Sequence, residues 1–181
     1  DSLARLQENA RFAMQFLVKD LRMAGYYVCV DEISAETVNN TLNDDDTFPF
    51  NARIPVEGVE NIGGTVASPT GTWYPSADTT MPALAIPGTD AVAIRMADAS
   101  SEIYLNQEMP NTSAVLKSNS IAGLNEGDII MVSDCASADI MQITQLNSTD
   151  PHIVHNSGDN DPLPGNSTQQ LSKAYSPSTS P

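Results

Sequence analysis

The chain has 181 residues, with 8 lysines and arginines against 23 aspartates and glutamates, a net charge of −15. Nucleic-acid binding rests on neutralising phosphates with basic side chains, so this balance argues against such a partner, and anionic lipid surfaces are disfavoured for the same reason. The length suits one domain that buries roughly two-thirds of its unfolded surface, so neither a metal nor a disulfide is obligatory for folding.

The first stretch, residues 1–24, has the spacing of a helix. Leu3, Leu6, Ala10, Ala13, Leu17, Leu21 and Ala24 recur at steps of three or four, and Phe12, Phe16 and Met23 widen that face. Arg5, Gln7, Glu8, Arg11, Lys19, Asp20 and Arg22 mostly occupy the other side. No proline or glycine interrupts the pattern before Gly25, which suits the residue just past a helix end. By period alone this is an amphipathic helix docked on a sheet. Tyr26–Ile33 is short, apolar and β-prone.

Residues 34–88 are loop chemistry. They hold Asn39, Asn40, Asn43, the run Asp44, Asp45 and Asp46, the pair Gly63 and Gly64, and prolines at 49, 55, 69, 75, 82 and 87. Short strands at most are expected there, over Thr47–Ile54 and Gly64–Ala67. Order returns over residues 89–146, the expected sheet core. In Thr89–Met96, Ala91, Ala93 and Arg95 alternate against Val92, Ile94 and Met96, a strand buried on one face. Ser101–Leu105 and Ala114–Lys117 are weaker strands with a turn between them. Ile129–Ser133, a sharp connection over residues 134–137, and Ala138–Leu146 predict a hairpin. The tail, residues 147–181, is polar and reads as largely irregular.

The chemistry-bearing residues are few. His152 and His155 both lie in the polar tail and read as solvated loop side chains, and no serine sits in a GxSxG elbow. No GxGxxG, Walker loop or HExxH occurs, so the sequence does not read as an enzyme. Asp44, Asp45 and Asp46 supply hard oxygens of the kind calcium takes, outside any EF-hand order, and are the candidate Ca²⁺ ligands; Asp159 and Asp161 form a second acidic loop. Trp73 and Tyr74, beside Pro75, are the most exposed-looking aromatic group: either a loop anchor or a contact hot spot for a neighbouring subunit. Cys29 and Cys135 form no CxxC and have no histidine at a zinc-ligand spacing. Free thiols and a disulfide both fit the pair, and the Asn, Thr, Ser and Pro-rich, lysine-poor composition favours export and hence a disulfide.

The wording of three segments adds to their period. RLQENARFAMQFLVKDLRMAGYYVC resembles the helix of PilW-type minor pilins of type IV pili. GTDAVAIRM and LNEGDIIMVSDCASADIMQIT resemble two later blocks of that family, in the same order, and two of the three blocks carry the cysteines. The resemblance implies an α+β, pilin-like fold of a single domain over 1–181: an N-terminal helix on an antiparallel sheet, with residues 34–88 as the variable loop region. It also implies a Cys29–Cys135 bridge, which would close a loop of over 100 residues and is worth up to about 4–5 kcal/mol in the chain-entropy model. In the family this helix is the second half of a longer one, whose first half is a hydrophobic anchor. The chain opens in mid-helix without that half and reads as a trimmed or processed product. Many relatives continue past the position of Tyr175 with further strands, so a shortened chain or a smaller sheet is expected.

The implied function is structural. The protein would be exported, anchored in the inner membrane facing the periplasm through the missing helix, and then part of the extracellular pilus. Its partners would be other minor pilins and pilus subunits, with a large tip adhesin among the candidates, in a tip complex that primes assembly and supports adhesion, motility or DNA uptake. No cofactor is implied; Ca²⁺ is the one candidate. Leu3, Leu6, Ala10 and Ala13 precede the turns that the sheet can cover, and with Trp73 and Tyr74 they are the expected subunit interface. Two alternatives are a type II secretion pseudopilin, against which the wording at Gly25–Cys29 and Asp134–Ala138 argues, and a calcium-dependent adhesin or ligand-binding module.

Overall fold

A computed structural model describes residues 2–27, 30, 37–98 and 103–177. The architecture is mixed α+β, as expected: one N-terminal helix with several small, mostly antiparallel sheets. In chain order the elements are α1 (Ser2–Met23), β1 (Val38–Asn40), β2 (Val56–Val59), β3 (Gly63–Thr65), β4 (Ser68–Thr70), β5 (Ala91–Ile94), β6 (Leu116–Lys117), β7 (Ile129–Ser133), β8 (Ala138–Gln142), β9 (Gln145–Asn147) and β10 (His152–Val154). They fall into two compact units: residues 1–26 with 54–96, and residues 27–53 with 97–181.

The first unit holds α1 and the sheets β2–β5 and β3–β4. The helix stops where the glycine predicts. Gly25 sits at φ +74, and its N–H donates to the Arg95 carbonyl at 2.9 Å, tying the helix end to the residue just after β5. A side chain on Gly25 would also meet Pro55 at 3.2 Å. The strand expected over Gly64–Ala67 is instead a hairpin, β3 and β4 around Val66 and Ala67. Gly64, at φ +76, lets the chains approach so closely that an added Cβ would lie 2.3 Å from the Ser68 carbonyl.

β2 and β5 pair antiparallel, Val56 opposite Ile94 and Gly58 opposite Val92. Period two leaves open which face of β5 is buried. Val92 and Met96 are exposed, whereas Arg95 turns its side chain inward to a buried carboxylate, Glu57. A charge pair, rather than the bulkier aliphatic set, sets the inward face.

The second unit is organised on β8, the centre of the sheet β1-β8-β7. All five residues of β8 are buried, because both of its faces are covered. Ala138 and Ile140 pack with Val38 and Leu42, whereas Met141 and the following Ile143 pack with Met109, Leu116, Ile153, Leu171 and Tyr175. The expected hairpin forms, β7 against β8 from Ile129–Gln142 to Ser133–Ala138. Its turn is closed by Asp134 N–H to the Ser137 carbonyl at 3.2 Å, with Cys135 at φ +69.

Two expectations are corrected. The sheet is not wholly antiparallel, since β1 runs parallel to β8. Thr47–Ile54 is a run of turns rather than a strand: Phe50 and Asn51 both donate to the Thr47 carbonyl, so the backbone satisfies itself locally. The tail is largely irregular, as expected, but it is packed rather than loose. β10 pairs with β6 and β9, and Asn166, Leu171 and Tyr175 are buried. Backbone bonds from Met109 to Tyr175 and from Leu171 to Thr112, each 2.9 Å, fasten the tail to the loop before β6. The strand expected over Ser101–Leu105 lies partly outside the described residues; within them, Leu105 makes a single bridge to Ser118. Most of the strand expected over Tyr26–Ile33 also lies outside them.

Candidate interaction surface

α1 buries none of its residues. Leu3 and Leu6 are each 65% exposed, Phe12 is 62% exposed, and Ala10 and Ala13 also face solvent. The helix forms for local reasons, an unbroken run of good helix formers closed by Gly25. The expected interface residues Leu3, Leu6, Ala10 and Ala13 recur at steps of three and four and so line one accessible stripe. Phe12 and Phe16, one turn apart, meet edge to face with ring centroids 4.6 Å apart.

Trp73 and Tyr74 part company. Trp73 is 2% exposed, its Nε1–H donates to the Thr80 carbonyl at 2.8 Å, and its own N–H donates to the Asp78 carbonyl at 2.8 Å. Its place as an interface residue is therefore corrected: the indole is an internal anchor for the loop, because a buried N–H needs a fixed partner. Tyr74 is 80% exposed. Two backbone bonds to Gly58, of 2.8 and 3.0 Å, add it as an edge to the β2–β5 sheet. Tyr74, Gly58 and Val92 thus lie in one row, with no side chain between the phenol ring and the valine. This row was not legible in the sequence, since nothing local marks Gly58 as the partner of Tyr74.

Asp44 and Asp46 are exposed and Asp45 is half-buried. Among the described residues no group of three or more His, Cys, Asp or Glu side chains is placed to hold a metal. Asn43 brings the two acidic loops together, its Nδ2 donating to the Pro164 carbonyl at 2.9 Å and to Asp159 Oδ1 at 3.3 Å. Cys135 is disulfide-bonded and exposed. Cys29, the chain's one other cysteine, lies outside the described residues.

The two histidines differ, and the expectation that both are solvated is corrected for His155. That ring is 3% exposed and its Nε2 lies 3.1 Å from the Ala114 carbonyl. A carbonyl only accepts, so Nε2 carries the hydrogen, and the buried Nδ1 is left without a partner. Burial lowers the His155 pKa from its usual 6.5, against the opposing effect of the Ala114 bond. The unfolded chain therefore binds a proton that the folded domain resists, and stability falls as pH drops below 6.5. The slope approaches about 1.4 kcal/mol per pH unit for the one proton. Urea midpoints measured between neutral and mildly acid pH should show this decline, and His155→Phe should flatten it. An unchanged decline in the variant would assign the acid sensitivity elsewhere.

Comparisons with family models, with curated proteins and with solved structures return no match for this chain.

Proposed function

We propose that the chain is the globular part of a PilW-type minor pilin, a structural subunit that joins other minor pilins in a tip complex and starts type IV pilus assembly. On this reading the protein is exported, held at the inner membrane by a hydrophobic half-helix N-terminal to Asp1, and delivered into the extracellular filament. It has no catalytic role. The observation that carries the reading is the exposure of α1: a 22-residue helix with Leu3, Leu6, Ala10 and Ala13 in solvent has an apolar stripe left for neighbouring subunits. The three sequence blocks of pilin-like wording support it independently, and Tyr74, 80% exposed, is the loop residue this reading assigns to the contact.

The test is Ala10→Glu in the parent strain, with piliation and the melting temperature of the isolated domain measured together. A charge in the stripe should sharply reduce surface pili. Because Ala10 touches no core, stability should shift by no more than about 0.5 kcal/mol. Parallel loss of pili and stability would overturn the reading. So would an ordinary cleavable signal peptide encoded upstream of Asp1, or a large melting shift with Ca²⁺ that EDTA reverses, which belongs to a calcium-dependent adhesin.

A further inference from the structure

The charge of this chain is unevenly divided, and the division falls between the two units. The unit holding α1 carries 5 basic and 7 acidic residues, whereas the other carries 3 basic and 16 acidic. Two of those three cations are already engaged, Lys117 with Asp150 and Lys173 with Asp134. α1 itself is basic, with Arg5, Arg11, Lys19 and Arg22 against Glu8 and Asp20.

The cations of α1 form a face of their own. Arg11, Gln15, Val18 and Arg22 follow one another at steps of four, three and four, which makes one stripe along a helix. Met14 and Lys19 flank the stripe, and together these side chains frame an open groove. Leu17 and Asp20, the least exposed residues of α1, lie on the other side of the cylinder, and the stripe is distinct from the one through Leu3, Leu6 and Ala10. Among the described residues none of these helix cations is in an ion pair.

We infer that this cationic stripe docks on the acidic unit of a second copy of the same chain. The stripe offers three positive heads around the apolar floor of Met14 and Val18, and the surface in hand with surplus carboxylates is the second unit. A second copy presents that surplus of carboxylates to the stripe, although each body carries a net charge of −15. Repulsion between the two acidic bodies is screened beyond about 8 Å at physiological ionic strength, while pairs in contact are screened far less. Because the two surfaces are different patches, the contact is heterologous and runs head to tail rather than closing a two-fold dimer. The inference does not depend on membership in a pilus.

Sedimentation velocity over a concentration series tests it, on the wild-type chain and on Arg22→Glu and Arg53→Glu. Both variants change the net charge equally, but Arg53 is an exposed residue of the acidic unit and no part of the helix stripe. The wild type should self-associate, more weakly as salt rises. Arg22→Glu should weaken association about tenfold, as expected for losing a close interfacial charge pair, and Arg53→Glu should not. Circular dichroism of both variants checks that α1 remains folded. A chain that stays monomeric throughout, association indifferent to salt, or equal effects of the two variants would overturn the proposal. Cosedimentation with anionic vesicles in the absence of self-association would overturn it in favour of a lipid surface. Any of these failures leaves the Ala10→Glu result untouched.

Discussion

Glu57→Ala should be the most destabilising single substitution in the first unit, costing about 3–5 kcal/mol, the usual penalty for removing one partner of a buried ion pair. The Glu57 side chain is fully buried and that of Arg95 is 12% exposed, with Oε1 and Nη2 2.6 Å apart. Ser76 Oγ donates to the other carboxylate oxygen, and Arg95 Nη1 donates to the Ile54 carbonyl at 2.6 Å. Taking away the carboxylate leaves the guanidinium charge in a site closed to water, facing donors that have lost their acceptor. The double substitution Glu57→Leu with Arg95→Met should recover much of the loss, because two apolar groups of similar volume need no partner. Chemical denaturation of the three variants decides it: a single variant within about 1 kcal/mol of wild type would mean that water reaches the pair and solvates the orphaned charge.

Asp139→Ala should be comparably damaging in the second unit. The Asp139 carboxylate, wholly buried, accepts from the side chains of Asn39, Ser172 and Tyr175 and from the Ser172 backbone N–H. Each stranded donor costs about 1–3 kcal/mol, so loss of the shared acceptor should exceed 4 kcal/mol. Asp139→Asn should be milder, since the hydroxyls of Ser172 and Tyr175 can turn to accept from the new amide. Tyr175→Phe removes one bond to the carboxylate, worth about 1.5–3 kcal/mol. The Tyr175 pKa is raised, by burial first and the Asp139 bond second, so the phenol keeps its proton as donor throughout the stable pH range. If Asp139→Asn proves as damaging as Asp139→Ala, the negative charge itself, and not the count of acceptors, holds the tail. Loss of protease resistance beyond residue 155 in these variants would locate the damage.

The elements legible beforehand were those set by local chemistry. The period of Leu3 to Ala24 with Gly25 behind it placed α1 within a residue at each end. Ile129–Ser133 and the start of the next strand at Ala138 were likewise local, because a turn of small polar residues between two β-prone runs leaves little choice. What failed was partner choice. The polarity of residues 147–181 read as an irregular tail and gave no sign of its packing, yet Asn166 and Gln142 exchange paired bonds of 2.7 and 2.9 Å in the interior. A buried amide looks the same in a sequence as an exposed one.

The candidate surface divides in the same way. The sequence by itself determined an amphipathic helix, an acidic composition poor in lysine and arginine, and the apolar positions along that helix. Only the tertiary structure decided that Trp73 is internal while Tyr74 is displayed, that Arg95 turns inward to Glu57, and that the apolar stripe of α1 remains uncovered. Helix and turn propensities act over a few residues and are written in consecutive letters. Burial and charge pairing depend on which distant segment arrives alongside, and that is settled by the whole chain at once.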